Sequence, residues 1–283
     1  YNQGCFADVR DHGSHGVYID FLPRSRDMAA REPAAGAVMT DFPQIQTVGL
    51  SGILVRFADT MSEPANRAAL SFRAAVDNAD WPGVSETSTS LVSTFLQVDL
   101  VLAPLDQMIE RLMDLLATRD WYTADLPSGR TLWHIPTVYG TDLAPQLEEA
   151  AHLAGIDPDA AIAQLSQARV RVLTIGFAPG QPYMGELPKN WDIPRQQGLT
   201  RSVPAGALIV AIRQLIIFTN ASPTGWRHIG QTAFKTFRPN SDKPFALSPG
   251  DELCFPSVTR EALETILMTD GSGHGGAEAQ VLT

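Results

Sequence analysis

GFAPGQPYM, Gly176–Met184, decides how the second half of the chain is read. It closes a β-prone run, Arg171–Phe177, with a turn in which Gly176 and Gly180 can take positive φ while Pro179 and Pro182 restrict their neighbours. Outward from it, Ala207–Ile212, Leu215–Thr219, Trp226–Ile229, Phe234–Phe237 and Asp251–Phe255 are further short β-prone runs, separated by Gly, Pro, Asn or Ser. Many short strands with regular turn signals predict a closed or nearly closed β-barrel. Ahead of it, residues suited to helix starts open two predicted helices, Ala144–Ala154 and Asp157–Leu165.

The first half has a different pattern. Val48, Leu50, Ile53, Val55 and Phe57 predict one strand over Thr47–Phe57, with an irregularity near Ser51 and Gly52. Ser62 and Glu63 start a helix whose apolar positions are Ala65, Ala68, Ala69, Phe72 and Val76, ending before Trp81, Pro82 and Gly83. Ser90–Val98 is β-prone, and Leu105–Leu116 is an amphipathic helix whose Met108 and Met113 are assigned to the core. The order β, α, β, α predicts a small α+β layer, helices on one face of a sheet. Residues 1–44 lack sustained periodicity and are expected to be an extension. The bounds that follow are an α+β domain over 45–128, a barrel domain over 129–262 and a C-terminal tail over 263–283.

Composition narrows the function. The 31 Asp and Glu outnumber the 21 Lys and Arg, and the net charge of −10 repels phosphate backbones and anionic lipid, so neither nucleic acid nor membrane is expected as a partner. Cys5 and Cys254 are too few and too far apart for a disulfide framework or a four-ligand zinc site. His134 and His152 are isolated, and His12 with His15 lie in a Gly-rich segment, so no metal site is predicted. No apolar run reaches the roughly 18 to 20 residues that span a bilayer, and no basic segment followed by an apolar core stands at the N-terminus. A cytoplasmic protein is expected.

Six motifs then occur in one order: GFAPGQPYM, IPR at Ile193–Arg195, VPAG at Val203–Gly206, SPTGW at Ser222–Trp226, IGQT at Ile229–Thr232 and PGDELCF at Pro249–Phe255. Together they resemble the family of allophanate hydrolase subunit 1 and the B component of 5-oxoprolinase, which includes carboxyltransferase regions of urea carboxylases and an inhibitor of a sporulation histidine kinase. The resemblance extends back through HIPTVYG to about Val48. FLPRS (Phe21–Ser25) and AGAVMTD (Ala35–Asp41) are faintly similar to the C-terminal end of another 5-oxoprolinase component. What the resemblance implies is a small α+β domain followed by a cyclophilin-like β-barrel, a homologous second subunit as partner, and ATP used by the assembled complex. The chain itself has no GxxxxGK phosphate loop.

Departures from the family pattern mark the candidate pocket. Gln181 stands where relatives carry Phe, and Ile212, Arg213 and Gln214 replace a Gly-Gly-Gln turn. Phe218 and Thr219 replace a Tyr-Pro pair, and Leu165 replaces a His. Gln181 and Tyr183, on the turn after Gly176, can orient an amide by hydrogen bonding, against a purely architectural role for that turn. Arg195 and Arg213 can clamp a carboxylate, against surface ion pairing. Gln214 completes the substrate-binding set. With no His at position 165, His228 is the nearest proton carrier in the barrel, against a strand-paired histidine with no catalytic role. Trp226 fits the core better than a stacking face.

The function implied is one subunit of a composite ATP-dependent amidohydrolase, inactive alone, acting on a small cyclic or urea-like amide. A non-catalytic regulator like the kinase inhibitor is the first alternative. Half of a biotin-dependent carboxyltransferase is the second, although the chain has no Met-Lys carrier motif.

Overall fold

The structure is a computed structural model that describes residues 41–283. Cys5, His12, His15, FLPRS and all of AGAVMTD but its final Asp41 lie outside the described residues.

Strands β1 (Gln44–Val48) and β2 (Gly52–Arg56) form an antiparallel hairpin where the sequence predicted one strand. The expected irregularity is the turn itself. Gly49 takes φ +62°, and a Cβ on Gly52 would meet the Val48 carbonyl oxygen and the Phe95 ring at 2.6 Å. Helix α1 (Glu63–Ala79) starts as predicted: the Ser62 side chain accepts from the Ala65 N–H, and Asp80 ends the helix in the left-handed region. Strand β3 (Val84–Ser90) was missed because VSETSTS is polar on both faces, which an edge strand tolerates; β4 (Ser93–Val98) and helix α2 (Leu105–Leu116) follow. The order is therefore ββαββα, with the sheet running β1-β2-β4-β3. Ile53, Val55, Leu96 and Val98 pack against Ala68, Phe72, Val76, Met108 and Leu112 in one core. Met113 is a correction. It is 59% exposed, because five residues of helix turn it well away from the face that buries Met108.

The second half contributes β5 (Thr131–His134), β6 (Thr137–Tyr139), α3 (Leu147–Leu153), α4 (Pro158–Gln167), β7 (Val170–Gly176), β8 (Gln181–Gly185), β9 (Thr200–Val203), β10 (Ala207–Ala211), β11 (Gln214–Ile217), β12 (Ser222–Thr224), β13 (Arg227–Thr232), β14 (Glu252–Cys254), α5 (Arg260–Thr269) and β15 (Glu278–Val281). Nine of these strands form one sheet, ordered β15-β5-β14-β7-β8-β11-β10-β13-β6, while β9 and β12 pair separately.

The nine-stranded sheet curls onto itself. Thr137, at the start of β6, bridges Ser257 just beyond β14; its N–H donates to the Pro256 carbonyl at 2.9 Å, and the Val258 N–H donates to its carbonyl at 3.0 Å. Val172, Met184, Leu208, Val210, Leu215, Ile217 and Phe255 fill one core with Leu147 and Ala151 of α3 and Leu165 of α4. Leu165 is thus a fully buried core residue.

Three predicted elements change. The helix expected from Ala144 begins at Leu147, because the Gln146 N–H donates to the His228 carbonyl. Phe234–Phe237 is not a strand; Phe237 only bridges Phe245. Residues expected to be a tail supply most of α5, and β15, which pairs with β5 along Thr131–His134.

Candidate functional site

The register of four adjacent strands lines up residues far apart in sequence. Tyr183 of β8 opposes Ile216 of β11, Ile216 opposes Ile209 of β10, and Ile209 opposes His228 of β13. Opposed residues of antiparallel strands share a face, so Tyr183, Ile216, Ile209 and His228 form one row. Strand alternation adds Gln181, Gln214 and Trp226, each two residues before a member of the row. A bulge at the Leu208/Ile209 step, where Leu208 pairs Gly230 and Ile209 pairs His228, sets the aim of His228. Val203 of β9 packs on this face with Ile209, Ile216, Phe218 and Trp226.

At the His228 end of the row lies a cleft of about 640 Å³, bounded by Asp142, Gln146, Thr200, Ser202, His228 and Gln231 among others. Gln146 shapes it. Its backbone N–H donates to the His228 carbonyl at 3.0 Å and its Oε1 accepts the His228 N–H at 2.9 Å, so it continues the ladder where β6 has ended. With that oxygen engaged, its Nε2 donates to Gln196 Oε1 at 2.8 Å, and Gln196 Nε2 donates to the Trp226 carbonyl at 2.9 Å. The two glutamines tie the start of α3 to the segment carrying Arg195 and to β13.

His228 is 4% exposed, and its Nε2 is buried without a hydrogen-bond partner. Burial pushes its pKa below the ordinary histidine value; the Gly230 backbone and the Gln231 side chain offset this in part, leaving the ring uncharged at neutral pH. Gln231 donates both amide protons, to the Ala205 and Thr232 carbonyls, so its buried Oε1 is the atom that acts on the His228 ring, in a contact that falls short of a well-formed hydrogen bond. A ligand offering a donor and an acceptor together supplies what this wall lacks.

The predicted residues divide. Gln181, Tyr183, Gln214 and His228 share the row's face, and only His228 of these borders the cleft. Exposed Arg195 holds its guanidinium 5.5 Å above the Trp226 ring. Arg213 turns elsewhere: its Nε donates to the Leu187 carbonyl at 2.8 Å, and it pairs with Glu186 at 3.3 Å. Its backbone explains this. Ile212 and Arg213 are the two central residues of the β10–β11 turn, at φ +44° and +61°, a geometry that glycine or asparagine adopts with least strain. Gln146 and Gln196 were missed; neither sits in a motif, and their roles arise from contacts between distant segments.

Arg213 lines a second, smaller cleft with Arg169, Arg171, Glu63, Glu186 and Glu252. There Glu252 binds both Arg130 and Arg169, and Glu63 binds Arg67 and Arg171. Burial alone would raise both carboxyl pKa values; the neighbouring guanidinium groups outweigh it and hold them below the usual range. Among the described residues no three His, Cys, Asp or Glu gather as metal ligands, and no helix is long and apolar enough to cross a membrane.

Comparison with known proteins gives consistent matches. Residues 43–247 match the carboxyltransferase domain, subdomain C and D. The B component of 5-oxoprolinase from Bacillus subtilis (strain 168) is 27% identical over 233 residues, covering 79% of this chain and 96% of that protein. The same component from Escherichia coli O157:H7 is 36% identical over 129 residues, 46% of this chain and 59% of its own length. Among solved structures, TTHA0988 is 29% identical with a TM-score of 0.60; the match covers 74% of this chain but only 40% of that one. The Kluyveromyces lactis urea amidolyase shares the fold, with a TM-score of 0.62 at 16% identity over 84% of this chain and 16% of that one.

Proposed function

The chain belongs to the carboxyltransferase domain, subdomain C and D family, and on that premise we propose that it is one subunit of a composite ATP-dependent hydrolase that opens a small cyclic or urea-like amide. The observation that carries this reading is the pair of buried groups at the cleft, His228 Nε2 and Gln231 Oε1, which meet in no well-formed hydrogen bond. An amide brings an N–H donor for Gln231 Oε1 and a carbonyl acceptor for a protonated His228 Nε2. The uncharged imidazole is suited to exchange a proton with the reacting amide or the attacking water. Gln181, Tyr183 and Gln214 on the same face, with Arg195 beside Trp226, extend the surface along which a substrate is held.

In this reading ATP is bound by the assembled complex, the partner is a homologous second subunit, and the chain alone is inactive in the cytoplasm. The relatives named as 5-oxoprolinase components support the subunit assignment. The test is to purify the chain with its homologous partner and measure ATP hydrolysis on adding 5-oxoproline, urea or other small amides. Amide-dependent ATP consumption that needs both proteins is the expected result, and no turnover with any amide would overturn it.

A further inference from the structure

The sheet of the α+β domain has two edges, and the chain guards only one of them. Strand β3 carries Glu86, breaks register between Val84 and Glu86, and lies against the barrel, where the Leu91 N–H donates to the Leu173 carbonyl at 3.2 Å. A charge, a bulge and a covering segment are the usual devices that keep an edge from pairing. Strand β1 has none of them. No charged side chain occurs over Phe42–Val55, which spans the β1–β2 hairpin, and the β1–β2 register is unbroken. Among the described residues no hydrogen bond from outside the hairpin reaches β1.

The strand is also complementary to itself. Ile45 packs on the helix side with the first core, so Thr47 shares that side, and Gln44, Gln46 and Val48 take the open one. Set antiparallel to a copy of itself about a two-fold axis at Gln46, the strand brings Gln46 against Gln46, Ile45 against Thr47, and Gln44 against Val48. Two positions further on, Leu50 comes opposite Phe42 of the copy. Leu50 is 95% exposed, and the partly buried Phe42 ring, with the Arg56 guanidinium over it at 5.7 Å, offers it an apolar surface. Each chain carries a net charge of −10, yet neither brings a charge to this seam.

We propose that β1 pairs with the β1 of a second copy of this chain, joining two four-stranded sheets into one of eight strands. A two-fold contact of this kind satisfies both edges at once and closes the assembly at two copies. The seam is only five residues long on each side, so the dimer belongs to the weak, micromolar class.

Sedimentation of the full chain over a wide concentration series should show a monomer–dimer equilibrium. Gln46→Lys sets two like charges face to face on the axis. It should raise the dissociation constant at least about tenfold and leave the melting temperature of the dilute monomer unchanged, because residue 46 is exposed. Residues facing each other on the axis hold their Cβ atoms about 4.5–5.5 Å apart, so Gln46→Cys should form a disulfide-linked dimer on oxidation, beyond any that the parent chain forms through its own cysteines. Gln44→Cys, displaced from its counterpart along the strand, should not. A chain that stays monomeric at every concentration overturns the inference, whether its edge is then bare or taken by the homologous subunit. A dimer unmoved by Gln46→Lys, or linked through Gln44→Cys and not Gln46→Cys, overturns it equally.

Discussion

The two clefts satisfy their polar groups in opposite ways. Around Glu252 and Glu63, charges pair with charges: each carboxylate is shared by two guanidinium groups, Glu63 tying α1 to β7 through Arg171 and Glu252 tying β14 to the segments just before β5 and β7 through Arg130 and Arg169. Around His228 there are neutral groups held in place by other neutral groups, and two of them are left without partners. In the first arrangement the charges are paired within the chain, although Arg171 Nε is buried without a hydrogen-bond partner, and we assign it to folding. The second holds uncharged groups beside an open cleft, with His228 Nε2 and Gln231 Oε1 free of strong partners, which is why we place function there and stability in the other.

That contrast is sharpest in turnover. His228→Gln keeps volume and polarity but removes the titrating ring, and should lower turnover of the assembled complex about a hundredfold while leaving the melting temperature nearly unchanged. An unaltered rate would dissolve the distinction between the clefts. Glu252→Ala should do the reverse. It leaves Arg130, whose side chain is 15% exposed, without its carboxylate, and should cost about 2 kcal/mol in urea unfolding, below the value for a fully buried pair because Arg169 is half exposed.

Smaller effects refine the comparison. Ile212→Asn should stabilise the chain by about 1 kcal/mol, since asparagine accepts the left-handed conformation that a β-branched residue resists, and it should do so without changing turnover. The pH dependence of unfolding should show two windows. The folded state disfavours protonated His228, so stability from that group is present above the unfolded value of 6.5 and declines as pH falls below it. The carboxyls of Glu252 and Glu63 are lowered, so their contribution is present above about 4.5 and is lost as pH falls through their lower folded values. In His228→Gln the upper window should vanish and the lower one persist.

Local rules reached the helices and the barrel, and stopped where distant segments meet. Ser62 and the apolar spacing of Ala65 to Val76 specify α1 because a cap and a face are written within one stretch of chain. The β1–β2 hairpin was missed because apolar residues run across its turn, at Leu50. The family motifs placed Gln181, Tyr183 and Gln214 near a pocket, and strand register puts them on one face. Arg213 went elsewhere because its turn conformation, not its charge, sets its direction. Gln146 and Gln196 carry no local signal; 50 residues separate them, and only the closed barrel brings their amides together.

The most direct test of a ligand site at His228 compares two variants in one assay. The chain is co-purified with its homologous partner as wild type, His228→Gln and Glu252→Gln, and amide-dependent ATP hydrolysis is measured per folded complex at low temperature. A ligand site at His228 predicts that the His228 variant is nearly inert and the Glu252 variant close to wild type. A fully active His228 variant beside an inert Glu252 variant would contradict it and move the site to the arginine-lined cleft.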